Sequence, residues 1–215
     1  MDGVDRHQHW EGVYTDRPYE DVGWFEVDPA VSMELVERAL AGGAESIIDV
    51  GGGASRLVDR LLAVGVGQIA VLDLSETGLD VAKQRLGDHA DAVRWIVGDV
   101  TSIADVGDFD IWHDRAVFHF LTDPADRARY VSLAERTVRP GGTAIVATFA
   151  PDGPERCSGL EVCRYDAKSL ADQCGPGFEL RDSRDHVHTT PRGVRQHFQY
   201  SAFRRAEPVF AEARA

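Results

Sequence analysis

The stretch that most constrains this chain is Ser46-Ile47-Ile48-Asp49-Val50-Gly51-Gly52-Gly53-Ala54-Ser55, an apolar run ending in an acid with glycines directly after it. Arg56-Leu57-Val58-Asp59-Arg60-Leu61-Leu62 then spaces its apolar residues like a helix with one buried face. Strand, glycine turn and helix open a nucleotide-binding α/β unit. Glycines let the backbone turn sharply and approach a ligand, and the helix start offers unpaired N–H groups. The dinucleotide fingerprint G-x-G-x-x-G is not met, because counting from Gly51 its third glycine is Arg56. Asp49, just before the turn, is placed to accept hydrogen bonds from an ammonium group. The pattern therefore favours a ligand with a cationic end and no pyrophosphate.

Asp49-x-Gly51-x-Gly53 resembles the first motif of the class I S-adenosylmethionine-dependent methyltransferases. The resemblance implies S-adenosylmethionine as cofactor. It also implies an α/β, Rossmann-like, doubly wound seven-stranded sheet, mostly parallel with a C-terminal antiparallel hairpin. Further along, Gln68–Leu74 is a continuous apolar run suited to a parallel strand buried on both faces. It carries Asp73 about twenty residues past Gly53, the distance at which such folds place an acid for ribose hydroxyls. The competing reading is a strand-end aspartate that merely caps the helix starting at Ser75. Leu74, beside Asp73, is grouped with it as a cofactor contact. Ala92–Val100 is a third strand ending in Gly98-Asp99. By resemblance, Asp99 accepts from the adenine amino group and Val100 packs on the ring. Three strand-end acids then share one edge of the sheet, where open α/β sheets bind ligands.

Phe109–Phe120 is a fourth strand and the loop after it. Its Trp112-His113-Asp114-Arg115-Ala116 resembles the Trp-Asp-Arg-Gly/Ala segment of thiopurine methyltransferases, with His113 as a departure. The resemblance implies that Asp114 and Arg115 border the methionine end of the cofactor and the substrate pocket. Elongation-factor lysine methyltransferases carry Asp-Lys-Gly-Thr-Leu-Asp-Ala there. This chain lacks the second acid and offers His119 instead, which weakens a lysine-substrate reading. Arg115 and His119 are the catalytic candidates. Arg115 would supply a field for an anionic nucleophile, and neutral His119 or His113 would take a proton from an amine.

Ahead of the glycine turn, residues 7–27 are aromatic-rich without helix or strand periodicity. Trp10, Tyr14, Trp24 and Phe25 need something to pack on, either the core or a ligand. Both methyltransferase families named above begin with a similar Trp-containing segment. On that resemblance residues 1–28 form a lid, with Trp10, Tyr14 and Trp24 as cofactor contacts, and residues 29–215 form one domain. Pro29 starts a helix with Val31, Leu35, Val36 and Leu40 on one face, stopped by Gly42-Gly43. Asp123-Pro124 starts another that runs to Thr137. Val138-Arg139-Pro140-Gly141-Gly142 fits a common class I feature, a structural turn into a fifth strand at 143–149. Residues 150–165 read as a loop over the active edge and 166–171 as a short helix. Residues 178–188 and 194–206 read as an antiparallel pair joined by Thr189-Thr190-Pro191-Arg192-Gly193.

The chain has 215 residues and a formal net charge of −13, which argues against a nucleic-acid substrate. No apolar run reaches membrane-span length and the start is acidic, so a cytoplasmic protein is expected. Cys157, Cys163 and Cys174 match no zinc spacing, and no metal is expected. They read as reduced, partly buried thiols; the sharper alternative is three thiolates gathering a soft metalloid. The reading that results is a methyltransferase acting on a small-molecule acceptor, a soft nucleophile such as a thiol or metalloid. Its alternatives are a protein lysine methyltransferase, a nicotinamide-dependent oxidoreductase and a non-catalytic S-adenosylmethionine-binding protein. The oligomeric state is left open.

Overall fold

The structure, a computed structural model, describes residues 5–207. Seven strands form one sheet: β1 Ser46–Val50, β2 Gln68–Asp73, β3 Val93–Val97, β4 Phe109–Arg115, β5 Val138–Phe149, β6 Phe178–Thr189 and β7 Arg195–Arg205. Their order is 3-2-1-4-5-7-6. The first five pair in parallel, β7 runs antiparallel between β5 and β6, and the expected C-terminal hairpin is present. The strand order reverses beside β1, and its C-terminal end is the crevice where open sheets bind ligands.

Among the described residues six α-helices accompany the sheet: α1 Arg6–Asp16, α2 Ala30–Ala41, α3 Leu57–Ala63, α4 Glu76–Leu86, α5 Pro124–Thr137 and α6 Ala167–Cys174. Strand residues alternate between two cores. Ile48, Val50, Ala70, Leu72, Trp112, Ala144 and Val146 meet α5 and α6 on one face. Ile47, Ile69, Val71, Ile111, Ile145 and Ala147 meet α2 and α3 on the other. Burial on both faces is why β2 reads as an unbroken apolar run. On α2, Leu35 and Val36 are buried and Val31 and Leu40 pack at the margin, as their spacing predicts.

Two local readings are corrected. The N-terminal segment contains a helix, α1, although its sequence shows no amphipathic period; Asp5 caps it by accepting from the Gln8 N–H at 3.2 Å. Residues 138–142 are not a free turn but the irregular start of β5, whose register against β4 shifts there. The loop 150–165 also folds a small two-residue ladder, Arg156–Cys157 against Leu160–Glu161. Among the described residues no helix is long and apolar enough to cross a membrane, and no group of three metal-ligating side chains exists. The three cysteines are free, so three thiolates do not converge on a metalloid.

Candidate active site

The glycine turn is built by exclusion. Gly51 has φ +67°, and a Cβ there would stand 2.0 Å from the Val117 side chain. A Cβ on Gly52 would stand 2.6 Å from the Asp49 carboxylate and from Val71. A Cβ on Gly53 would meet the Tyr14 hydroxyl at 2.3 Å. The backbone therefore passes where no other residue passes, and the ends of β1, β2, β3 and β4 open around it. Gly52 belongs to this cradle as firmly as Gly51 and Gly53, a fact the D-x-G-x-G pattern does not express.

A cleft of about 860 Å³, open at its mouth, lies over this edge. Its walls include Trp10, Tyr14, Trp24, Gly51, Asp73, Leu74, Asp99, Val100 and Arg115 from the candidate set. A second cavity, about 420 Å³, adjoins it through Trp24, Gly51 and Arg115, and is walled by Asp49, Ser32, His113 and Glu26. Gly53 touches neither space directly and instead seats Tyr14.

The acids differ in their partners. Asp73 accepts from the Ser75 N–H at 2.8 Å, so it does steady the start of α4, yet it also walls the cleft. Burial pushes its carboxyl up to about 7. Asp99 accepts from Thr101 N–H and Oγ–H, both at 2.7 Å, and pairs with Arg6 at 3.3 Å. Asp114 lies apart from both spaces. It accepts from Val117 N–H at 2.8 Å, Phe118 N–H at 3.0 Å and the Tyr130 hydroxyl at 2.6 Å, fully buried against α5. Burial raises it to about 6. Its oxygens shape the loop after β4, and this arrangement leaves none for a cofactor.

Helix α1 covers the cleft. Arg6 reaches Asp99 and also Asp126 of α5, both at 3.3 Å. Glu11 accepts from the N–H groups of Glu76 and Thr77, capping α4 from outside. Tyr14 fills the hollow over Gly53 and Gly78, and Trp10 meets Trp24 and Phe120 edge-on at 5.7 and 5.0 Å. Arg6 and Glu11 were not legible as site residues, since each draws its meaning from a distant partner.

Arg115 stands between the two spaces. Its Nε donates to the Tyr200 hydroxyl at 3.0 Å, Nη1 donates to the Trp24 carbonyl at 2.9 Å, and Nη2 pairs with Glu26 at 3.0 Å. The guanidinium also stacks on Phe198, 4.8 Å from the ring centre. Glu26 offsets its charge, so Arg115 ties the N-terminal segment to the sheet rather than offering a free cation. His119 is fully buried between Phe120 and Phe149 and does not line the cleft. Its Nδ1 accepts from the Phe149 N–H at 3.4 Å, which places the ring proton on Nε2. Burial, then the charge of Arg115, push the imidazole down to about 3. With its lone pair engaged and so low a pKa, His119 is poorly suited to accept a proton.

The far end of the cleft is formed by Phe120, Phe149, Cys157, Gln196 and Phe198. The pairing of Phe149 with Phe198 across β5 and β7 brings this end together. Burial pushes the Cys157 thiol up to about 11, so it is a neutral wall.

Residues 48–146 match the model of a family described as a methyltransferase domain. No protein of curated function matches the sequence. Among solved structures, one from work on the conversion of a disulfide bond into a thioacetal group during echinomycin biosynthesis superposes with TM-score 0.72 at 20% identity, covering 93% of this chain and 92% of that one. The N-methyltransferase NodS from Bradyrhizobium japonicum WM9, in complex with S-adenosyl-L-homocysteine, gives 0.70 at 14% identity, with 92% and 98% covered. The 1,6-didemethyltoxoflavin-N1-methyltransferase of Burkholderia thailandensis, with its substrate and S-adenosylhomocysteine bound, gives 0.66 at 21% identity, with 94% and 84% covered. The chain thus carries a methyltransferase domain, matched from within β1 through the glycine cradle into β5, on a Rossmann-like sheet shared with S-adenosylmethionine-dependent methyltransferases.

Proposed function

We propose that this enzyme methylates a small molecule through a neutral or soft nucleophile, a thiol-like sulfur in the first instance. The observation that carries the reading is the far end of the cleft, where Phe120, Phe149, Cys157, Gln196 and Phe198 present neither a carboxylate nor a free imidazole. A protonated amine must lose its proton before it attacks, and nothing at this end takes it. A soft nucleophile needs only to be held in line and close.

On this reading the cofactor supplies an activated methyl group on a sulfonium. Asp73 accepts from the ribose hydroxyls, and Asp99 with Val100 and Leu74 holds the adenine. Asp49 takes the ammonium in the smaller cavity. Trp10, Tyr14 and Trp24 close over the cofactor and exclude water, while Gln196 orients the acceptor against the aromatic wall. Arg115 holds Trp24 and Glu26 in place. The compared structures include a 1,6-didemethyltoxoflavin-N1-methyltransferase and one from work on the conversion of a disulfide bond into a thioacetal group during echinomycin biosynthesis, which supports a small-molecule acceptor. A lysine acceptor is disfavoured because the acid its ammonium needs is missing from this end.

The test offers methyl-labelled S-adenosylmethionine and a cell extract split into macromolecules and small metabolites, followed by a panel of thiols, heteroaromatic amines and alkylamines. Label in small metabolites, with thiols outpacing alkylamines, is the expected result. Label confined to protein would overturn the reading.

A further inference from the structure

A row of buried polar groups runs beneath the glycine cradle. Asp49 on β1 and His113 on β4 are register partners, so their side chains emerge together on one face of the sheet. His113 Nδ1 lies 2.7 Å from Asp49 Oδ1, and Nε2 lies 2.9 Å from Ser32 Oγ in the first turn of α2. Ser32, His113 and Asp49 are 1%, 2% and 3% exposed.

An ionised carboxylate only accepts, so Nδ1 carries the proton and donates to Asp49. In the neutral ring Nε2 is then a lone pair, and the Ser32 hydroxyl donates to it. The Ser32 hydroxyl and the His113 Nδ1–H thus both point toward Asp49, and hydrogen bonds aligned in this way polarise one another. The second oxygen of Asp49 lies beside Gly52, whose missing Cβ leaves it room at the wall of the smaller cavity.

We infer that His113, held by Ser32, is the positioning residue that fixes the Asp49 carboxylate for the ammonium end of the cofactor. The inference rests on the assignment of Asp49 given under the proposed function. Serine, histidine and carboxylate in sequence are also the connectivity of a nucleophilic triad. Ser32, however, is almost wholly enclosed, so the row serves orientation.

Calorimetry with two probes tests this. S-adenosylhomocysteine carries the amino-acid end, and 5′-methylthioadenosine lacks it. Wild type binds the first more tightly. His113→Phe loses about ten- to a hundredfold in affinity for S-adenosylhomocysteine, the scale of one hydrogen bond to a charged group, and keeps its affinity for methylthioadenosine. His113→Gln, whose amide can donate to Asp49 and accept from Ser32, recovers most of the loss. Ser32→Ala, a milder change should His113→Phe not fold, shows a smaller loss with the same selectivity. Wild type indifferent to the amino-acid end would overturn the assignment of Asp49. A selective wild type whose variants lose both probes equally, or neither, would overturn the role of His113 alone.

Discussion

At Gly51 two requirements coincide in one residue, a left-handed φ of +67° and contact with Val117 too close for a Cβ. Gly51→Ala is expected to cost about 2–4 kcal/mol, part from overpacking and about 1–2 from the backbone. Adding Val117→Ala should relieve the steric part only, so urea melts of the two single variants and the double variant should be non-additive. Full additivity would show that Val117 yields freely. Asp73 carries the opposite tension, between stability and ligand. An acid whose pKa is raised on folding, here from 3.8 to about 7, favours the folded state at low pH, and that advantage is lost as pH climbs across this interval. Asp73→Asn is therefore expected to stabilise the ligand-free protein by about 1–3 kcal/mol at pH 8 and by almost nothing near pH 4. The same change should weaken S-adenosylmethionine binding about tenfold or more, since a charged acceptor for ribose is lost. A variant less stable at pH 8, or one with unchanged affinity, would contradict this account.

At the scale of elements, what the sequence discloses follows from how each element is held. Strands β1, β2 and β4 were legible because both faces are buried and acids lie at their ends, whereas the edge strand β3, with Arg94 and Val97 exposed, was legible from its apolar residues and the Gly98-Asp99 after it. Helix α1 was not legible. Among its residues only Tyr14 is buried, and it is held by point contacts with Asp99, Asp126, the start of α4 and Trp24 rather than by an apolar stripe. The aromatic excess of residues 7–27 announced that something would be covered without saying by which element. The far end of the cleft escaped notice for a different reason. Cys157, Gln196 and Phe198 come from a loop and a hairpin, and only the pairing of β5 with β7 brings them beside Phe149. Because α1 is held by separate contacts, its aromatic side chains should matter more to the ligand than to the fold. Trp10→Ala is expected to raise the cofactor Kd about tenfold while lowering Tm by only a few degrees. Calorimetry and a thermal melt on the same preparation separate the two effects. A large fall in Tm with unchanged Kd would make Trp10 a core residue.

For the molecule as a whole, the cleft is where parts distant in the chain meet. The ends of β1, β2 and β3 give one wall, β4, β5 and β7 the other, and α1 the roof, so a cofactor seated as proposed would bridge both halves of the sheet and the N-terminal segment. A ligand that binds only this assembled state stabilises it by mass action, about 2.7 kcal/mol at a hundredfold excess over Kd. For a chain of this length each kcal/mol moves Tm by about 2–4 °C, so S-adenosylhomocysteine at that excess should raise Tm by roughly 5–11 °C. NAD should do little, because the glycine turn carries Arg56 where a dinucleotide needs its third glycine and presents a carboxylate beneath the turn where a pyrophosphate would bring negative charge. The two melts therefore read the ligand class directly from the assembled molecule. A shift with NAD and none with S-adenosylhomocysteine would mean that the cradle receives a phosphate after all. A single cooperative transition that moves with S-adenosylhomocysteine would show that roof and walls respond to the ligand as one unit.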